Sequence, residues 1–278
     1  GGENLFQKIK AMTLAAQQSG TEIIKLSIGQ PSGPALFEAR RKAAEIIMSD
    51  EESAHEYQDN GSLFVSDFAQ RFILSQVPYP VQQAADAKEV SFLPLPGMKS
   101  ALGMVILACG AGNPGAHVNV LTTTDPGYGT PAVWAGYLNA SVNHTAIKLT
   151  PENNFRLDPL ALPPGPDLIM TNYLHNPSGQ VATREFWHKL CEWAEANDVR
   201  IFNDSAYSIL NQSAEHCALA EVAIHFKKLS WLEAYSASKA GNFTGWRIGA
   251  VIGSPDFVAD LATIKGNTDS GFCAPQAG

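Results

Sequence analysis

The chain has 278 residues, 45% of them hydrophobic and no type dominant, which excludes a disordered, collagenous or coiled-coil protein and allows one large domain or two modest ones. Charged residues are only 17%, below the roughly 25% of an average soluble domain, which points to a large buried core or to extensive subunit contact. Nineteen basic and 27 acidic residues give −8 with no Lys/Arg run, and the longest apolar stretch (101–112) falls short of a bilayer span of ~20 residues, so neither nucleic acid nor membrane is an expected partner.

Residues 5–18 follow a helical pattern, 22–28 read as extended, and Gly29-Gln30-Pro31-Ser32-Gly33-Pro34 reads as a turn, so the first forty residues look like an arm that packs elsewhere. Strand patterns then cover 90–95, 118–123, 142–149, 167–172, 199–203, 228–235 and 247–252. Several are continuous apolar runs, as in strands buried on both faces. Residues 183–197 form a helix capped by Thr183, with Phe186, Leu190, Trp193 and Ala194 on one face, and 256–264 form another. This alternation predicts an α/β fold with a mostly parallel sheet, whose ligands sit beyond the strand C-terminal ends.

Cys109, Cys191, Cys217 and Cys273 show no C-x-x-C spacing, and the N-terminal residues contain no apolar stretch, so reduced thiols and a cytoplasmic location are expected. The seven histidines form no H-x-x-x-H or Cys/His cluster, and no metal is expected.

Two motifs tempt and fail on context. Gly110-Ala111-Gly112-Asn113-Pro114-Gly115 matches G-x-G-x-x-G, but a helical run precedes it and a strand follows, the reverse of the dinucleotide arrangement. Tyr235 and Lys239 match the Y-x-x-x-K of short-chain dehydrogenases, NAD(P) enzymes that keep the pair on a helix. Here Ala240-Gly241-Asn242-Phe243-Thr244-Gly245 is poor helix sequence, and this stays a runner-up reading.

A third constellation holds together. Asn176-Pro177-Ser178-Gly179, Asp204-Ser205-Ala206-Tyr207 and Ser236-Ala237-Ser238-Lys239 each follow an expected strand, and Arg247 comes eight residues after Lys239. Singly each has an ordinary reading: N-P-x-G as a turn, Asp204 as a strand-end cap, Tyr207 as a core tyrosine, Lys239 as a surface lysine. In this order and spacing, from Gly29 to the last residue, they resemble the class I/II aminotransferases, the fold type I enzymes that use pyridoxal 5'-phosphate.

The resemblance implies a three-layer α/β/α large domain over 41–278, preceded by an arm or part of a small domain over 1–40. It implies that Lys239 forms a Schiff base with the cofactor aldehyde and moves the substrate α-proton, and that Asp204 keeps the pyridine nitrogen protonated. Asn176 and Tyr207 would donate to the phenolic oxygen, and Asn176 would also face the substrate. Arg247, Ser236 and Ser238 would hold the phosphate. Gly97-Met98-Lys99 resembles the phosphate-cradling turn, with the Met98 and Lys99 amides aimed at the anion and the Lys99 side chain left to solvent. Asp125-Pro126-Gly127-Tyr128 resembles the turn that stacks its aromatic, here Tyr128, on the ring, and Asn172 resembles a polar position nearby. Gly29 matches a turn beside the substrate. Tyr57 resembles a tyrosine that reaches the neighbouring subunit's phosphate in a homodimer, with a spacing to Gly61 one residue shorter than usual.

The implied reaction moves an amino group between an amino acid and a 2-oxo acid, with a lyase or decarboxylase on the same fold as the alternative. Family members continue into a C-terminal small domain whose arginine clamps the substrate carboxylate. Only 39 residues follow Lys239, and no arginine follows Arg247. The expectation is the cofactor domain of a longer enzyme, able to hold the cofactor covalently but poor at transamination alone.

Overall fold

The computed structural model describes residues 5–24, 26, 29–61 and 63–278, so residues 25, 27 and 28 of the expected extended segment lie outside the described residues. The chain divides into two units, Gly1–Ser32 and Gly33–Gly278. The first contains helix α1 (Leu5–Gln18), which is followed by a turn at Gly20 with φ +84°. The second begins at Gly33, and its helix α2 (Phe37–Ile47) runs through residue 40, where the sequence pattern divides arm from domain.

Among the described residues of the second unit, seven strands form one sheet: β1 (Ser91–Leu95), β2 (Val118–Asp125), β3 (Val142–Lys148), β4 (Leu168–Asn172), β5 (Arg200–Asp204), β6 (Trp231–Ser236) and β7 (Gly249–Gly253). They lie in the order β1-β7-β6-β5-β4-β2-β3. β3, β2, β4, β5 and β6 run parallel, whereas β7 is antiparallel to both of its neighbours. The expected strands are all present, and the sheet is mostly parallel as the apolar runs imply.

The remaining helices are α3 (Phe68–Leu74), α4 (Tyr79–Asp86), α5 (Met98–Ile106), α6 (Thr130–Tyr137), α7 (Arg184–Asn197), α8 (Ala220–Ala223), α9 (Pro255–Gly266) and α10 (Ala274–Ala277). Alternation along the strands splits the core in two. Ile169, Ile201, Trp231 and Tyr235 face one side, with Trp187 and Leu190 of α7 and Val222 of α8. Met170, Phe202, Leu232 and Ala234 face the other, with Leu102 and Ile106 of α5 and Phe257 and Leu261 of α9. The result is three layers. Strands such as β4 and β6 are buried throughout because helices cover both faces.

Three boundaries decide which side chains reach the sheet edge. Asp204 and Ser236 are the last residues of β5 and β6 rather than the residues after them. β7 starts at Gly249, so Arg247 precedes the strand in a left-handed conformation (φ +56°) instead of opening it. Because β7 is reversed, its first residue pairs with the last residues of β1 and β6, Leu95 and Ser236, and Arg247 arrives at the same sheet edge as the ends of the parallel strands.

α7 starts as its sequence dictates: the Thr183 side chain accepts a hydrogen bond from the Phe186 amide (3.2 Å). Replacing an N-cap threonine by alanine leaves that amide without its acceptor. Thr183→Ala is expected to lower the unfolding free energy by about 1 kcal/mol, read as a shift of the denaturant midpoint at unchanged slope; an unshifted midpoint would contradict the cap.

Candidate active site at the strand ends

A cavity of about 180 Å³ opens at this edge, among the ends of β4, β5 and β6, the start of α5 and the approach to β7. Its lining contains Met98, Lys99, Tyr128, Asn172, Asn176, Asp204, Tyr207, Ser236, Ser238, Lys239 and Arg247, which the sequence singles out, together with Leu102, Ala206 and Thr244, which it does not. Leu102 lies one turn after Met98 on α5, an i,i+4 relation that could have found it. Thr244 lies between Lys239 and Arg247, and its hydroxyl donates to the Ser238 carbonyl (3.0 Å) while its own carbonyl accepts from Arg247 Nη1 (3.1 Å).

One end of the cavity is built for an anion. Gly97 (φ +83°) precedes α5, and no side chain caps the helix, so the first amides remain directed outward. The positive φ favours glycine at 97, and a Cβ there would meet the Arg247 guanidinium, with Cζ 2.7 Å away, so the arginine would have to move. Ser236 and Ser238 line the same cavity, and the Ser236 hydroxyl accepts from the Ser238 amide (3.1 Å).

The other end is built around Asp204, which is 7% exposed. Among the described residues its carboxylate accepts one hydrogen bond, from the Ala206 amide (3.1 Å). Burial pushes its pKa up to about 6, against the opposing pull of Ala206 and of the Lys239 ammonium. The neighbouring strand holds a second buried carboxylate, Glu233, on the far face of the sheet. Glu233 is enclosed by four donors: the Leu219 and Ala220 amides, Asn203 Nδ2 and the Tyr235 hydroxyl. Glu233 is a completed structural network, whereas Asp204 keeps acceptor capacity in the cavity wall.

The remaining polar groups are tied to one another. Asn172 Nδ2 donates to the Asp204 carbonyl (2.8 Å), and its Oδ1 accepts from the Asn176 amide (3.0 Å). Asn176 Nδ2 donates to the Tyr207 hydroxyl (3.3 Å). Burial raises the Tyr207 pKa, and the charges of Asp204 and Tyr128 add to this while the Asn176 bond opposes it. Lys239 Nζ lies 5.5 Å from the centre of the Tyr207 ring. Burial lowers the Lys239 pKa and the Asp204 charge partly offsets it, which favours the neutral, nucleophilic amine. Tyr128 reaches the cavity from a turn in which Gly127 packs on Thr124, whose Cα a Cβ would approach to 2.6 Å.

These groups fit the cofactor that the resemblance implies. There is an amine for its aldehyde, an under-coordinated buried carboxylate for a cationic ring nitrogen, a Tyr–Asn pair for its phenolic oxygen, and a helix N-terminus with arginine for its phosphate. Gly29 belongs to the other unit, Gly1–Ser32, and is described only within it. Tyr57 is 79% exposed and lines a separate depression of about 500 Å³ with Pro96, Trp246 and Arg247.

The runner-up reading is overturned. Tyr235 is buried in β6, its hydroxyl donating to Glu233 Oε2 (3.0 Å), and Lys239 follows the strand at the cavity, so the two never share a helix. Gly110 ends the helical run that precedes β2, and no strand enters the 110–115 motif.

The family model described as aminotransferase class I and II matches residues 21–277. LL-diaminopimelate aminotransferases of Halothermothrix orenii and Aquifex aeolicus are each 29% identical, and that of Moorella thermoacetica 30%, over 96% of this chain and 66% of their own length. The chain thus spans just under two thirds of the curated relatives it matches. Substrate-bound BacF from Bacillus subtilis superimposes with a TM-score of 0.79 at 21% identity, over 99% of this chain and 68% of that one. Aspartate aminotransferase from Thermus thermophilus with maleate gives 0.75 at 22%, over 99% and 69%. At such identities the structural likeness speaks for the fold.

The environment of Asp204 has a consequence for stability. A carboxylate whose folded pKa stands near 6 against about 3.9 unfolded opposes folding above pH 6, and the penalty disappears as pH falls through 6 towards 4. Asp204→Asn keeps the acceptor for Ala206 and removes the charge. The cofactor-free variant is expected to gain about 2–3 kcal/mol of unfolding free energy at pH 8 and little at pH 4. Denaturant titrations at both values test this, and an equal effect at the two would refute it.

Proposed function

The chain belongs to the class I and II aminotransferase family, and from that premise we propose that its cavity holds pyridoxal 5'-phosphate and serves the transfer of an amino group from an amino acid to a 2-oxo acid. The observation that carries this reading is the meeting of Lys239, the under-coordinated Asp204 carboxylate and the Gly97–Arg247 anion cradle around one cavity. When bound, the cofactor supplies an electron sink for the pair left by the broken substrate Cα–H bond.

Lys239 would hold the cofactor through its amine and would take and return the proton at the substrate Cα. Its partly buried position serves this, because a neutral amine is the competent base. Asp204 would hold a proton on the ring nitrogen, and in doing so its carboxylate would be relieved of its burial penalty. Tyr207, oriented by Asn176, donates to the phenolic oxygen. Arg247, Ser236, Ser238 and the Met98 and Lys99 amides bind the phosphate. Tyr128 would cover the ring, and Asn176 would be a substrate-side contact. Among the described residues no helix is long and apolar enough to cross a membrane. We read the working form as a homodimer in the cytoplasm: Tyr57 stands exposed beside Arg247, as a residue offered to a second subunit would, and the four cysteines are unpaired thiols.

Two outcomes are expected. After incubation with pyridoxal 5'-phosphate and reduction with borohydride, peptide mass spectrometry should find the cofactor on Lys239, and Lys239→Ala should lose that modification and the accompanying absorbance; labelling of a different lysine would defeat the assignment. Gly97→Ala, which drives a methyl into Arg247, should weaken cofactor binding by at least about tenfold, measured by equilibrium titration, and should weaken inorganic phosphate binding at the same end.

A further inference from the structure

His175 takes no part in the proposed chemistry, yet it is 2% exposed and stands between two segments that carry cofactor contacts. One is the turn after β2, with Pro126, Gly127 and Tyr128; the other is the turn after β4, with Asn176 and Ser178. His175 Nε2 lies 3.2 Å from the Pro126 carbonyl and Nδ1 lies 2.7 Å from Ser178 Oγ. The chemistry of the partners fixes the direction of both bonds. A carbonyl only accepts, so Nε2 carries the hydrogen. Burial lowers the pKa and keeps the ring neutral, so Nδ1 accepts from the Ser178 hydroxyl. The Ser178 oxygen in turn accepts from the Gln180 amide (3.3 Å). The relay therefore runs in one sense, from Gln180 N–H through Ser178 and the imidazole to Pro126.

The ring is also fixed to its own turn. The His175 amide donates to the Gln180 carbonyl (2.8 Å), and the Gly179 amide donates to the His175 carbonyl (2.7 Å). The imidazole is thus a short strut with one end built into the Asn176 turn and the other hydrogen-bonded to the Tyr128 turn. These turns are 49 residues apart in sequence.

We propose that His175 is a positioning residue that sets the Tyr128 turn against the Asn176 turn and thereby the spacing between the stacking ring and the Asn176–Tyr207 pair. The consequence for the cofactor rests on the function proposed above; the mechanical role does not. His175→Phe keeps the ring volume and removes both bonds, so the Pro126 carbonyl loses this donor and the Ser178 O–H loses its acceptor. His175→Gln places an amide N–H where the imidazole Nε2–H stands. Ser178→Ala removes only the supporting hydroxyl.

The test is hydrogen exchange read by mass spectrometry on the cofactor-free full chain, followed by pyridoxal 5'-phosphate titration of the same samples. In His175→Phe, residues 124–130 are expected to exchange at least about tenfold faster, with residues 200–204 of β5 unchanged, and cofactor affinity to fall about tenfold. His175→Gln should stay within about threefold of the parent on both measures, and Ser178→Ala should move both in the Phe direction by about two- to threefold. Should His175→Phe not fold, the serine variant decides. Parent-like exchange over 124–130 in His175→Phe, or in Ser178→Ala where that variant decides, would overturn the inference, and so would an equal acceleration at 200–204, which marks a general loss of stability. If the parent binds no cofactor, the proposed function falls while the exchange comparison still decides the strut.

Discussion

A carboxylate buried in a cavity wall governs this molecule. Asp204 closes the central strand β5 with one amide donor on its side chain among the described residues, and burial drives its pKa up to about 6. A protein keeps such a group only if something else neutralises it. Its surroundings are arranged to permit that. Asn172 grips the Asp204 main chain and leaves the carboxylate alone, and Ala206 covers one oxygen. The amine at Lys239 and the guanidinium at Arg247 line other parts of the same wall. Glu233, one strand away on the opposite face, shows what the fold does with a carboxylate it satisfies internally.

Most of this was legible in the sequence, for identifiable reasons. Strands covered on both faces read as apolar runs, so the sheet could be located, and because a parallel sheet directs its strand ends to one edge, the polar residues after those runs could be grouped from their order alone. Thr183 announced a helix start by a purely local bond. What stayed hidden depends on partners distant in sequence. An apolar run such as 249–253 reads the same whether the strand runs up or down, so the reversal of β7 was invisible. With it went the left-handed turn that takes Arg247 out of the strand. His175 was silent because its partner is a main-chain carbonyl 49 residues away, and any residue type offers a carbonyl.

The two ends of the cavity are also held by different means. The anion end relies on an absence: the missing side chain of Gly97 lets the guanidinium of Arg247 lie against the main chain at the helix start. The ring end relies on a continuous set of side-chain bonds from Thr123 through Asn172 to Asn176 and Tyr207. Steric change damages the first and loss of a donor damages the second.

The reversed strand also sets an order of events. β1 is an edge strand whose ladder is made with β7, pairing Ser91 with Gly253 and Leu95 with Gly249. During synthesis, residues 91–95 have no neighbour in the sheet until more than 150 further residues have been added. The glycine-arginine cradle straddles that same junction. Binding competence therefore arrives as one late, long-range closure, and a nascent chain that stops short of β7 presents an open sheet edge instead of a site.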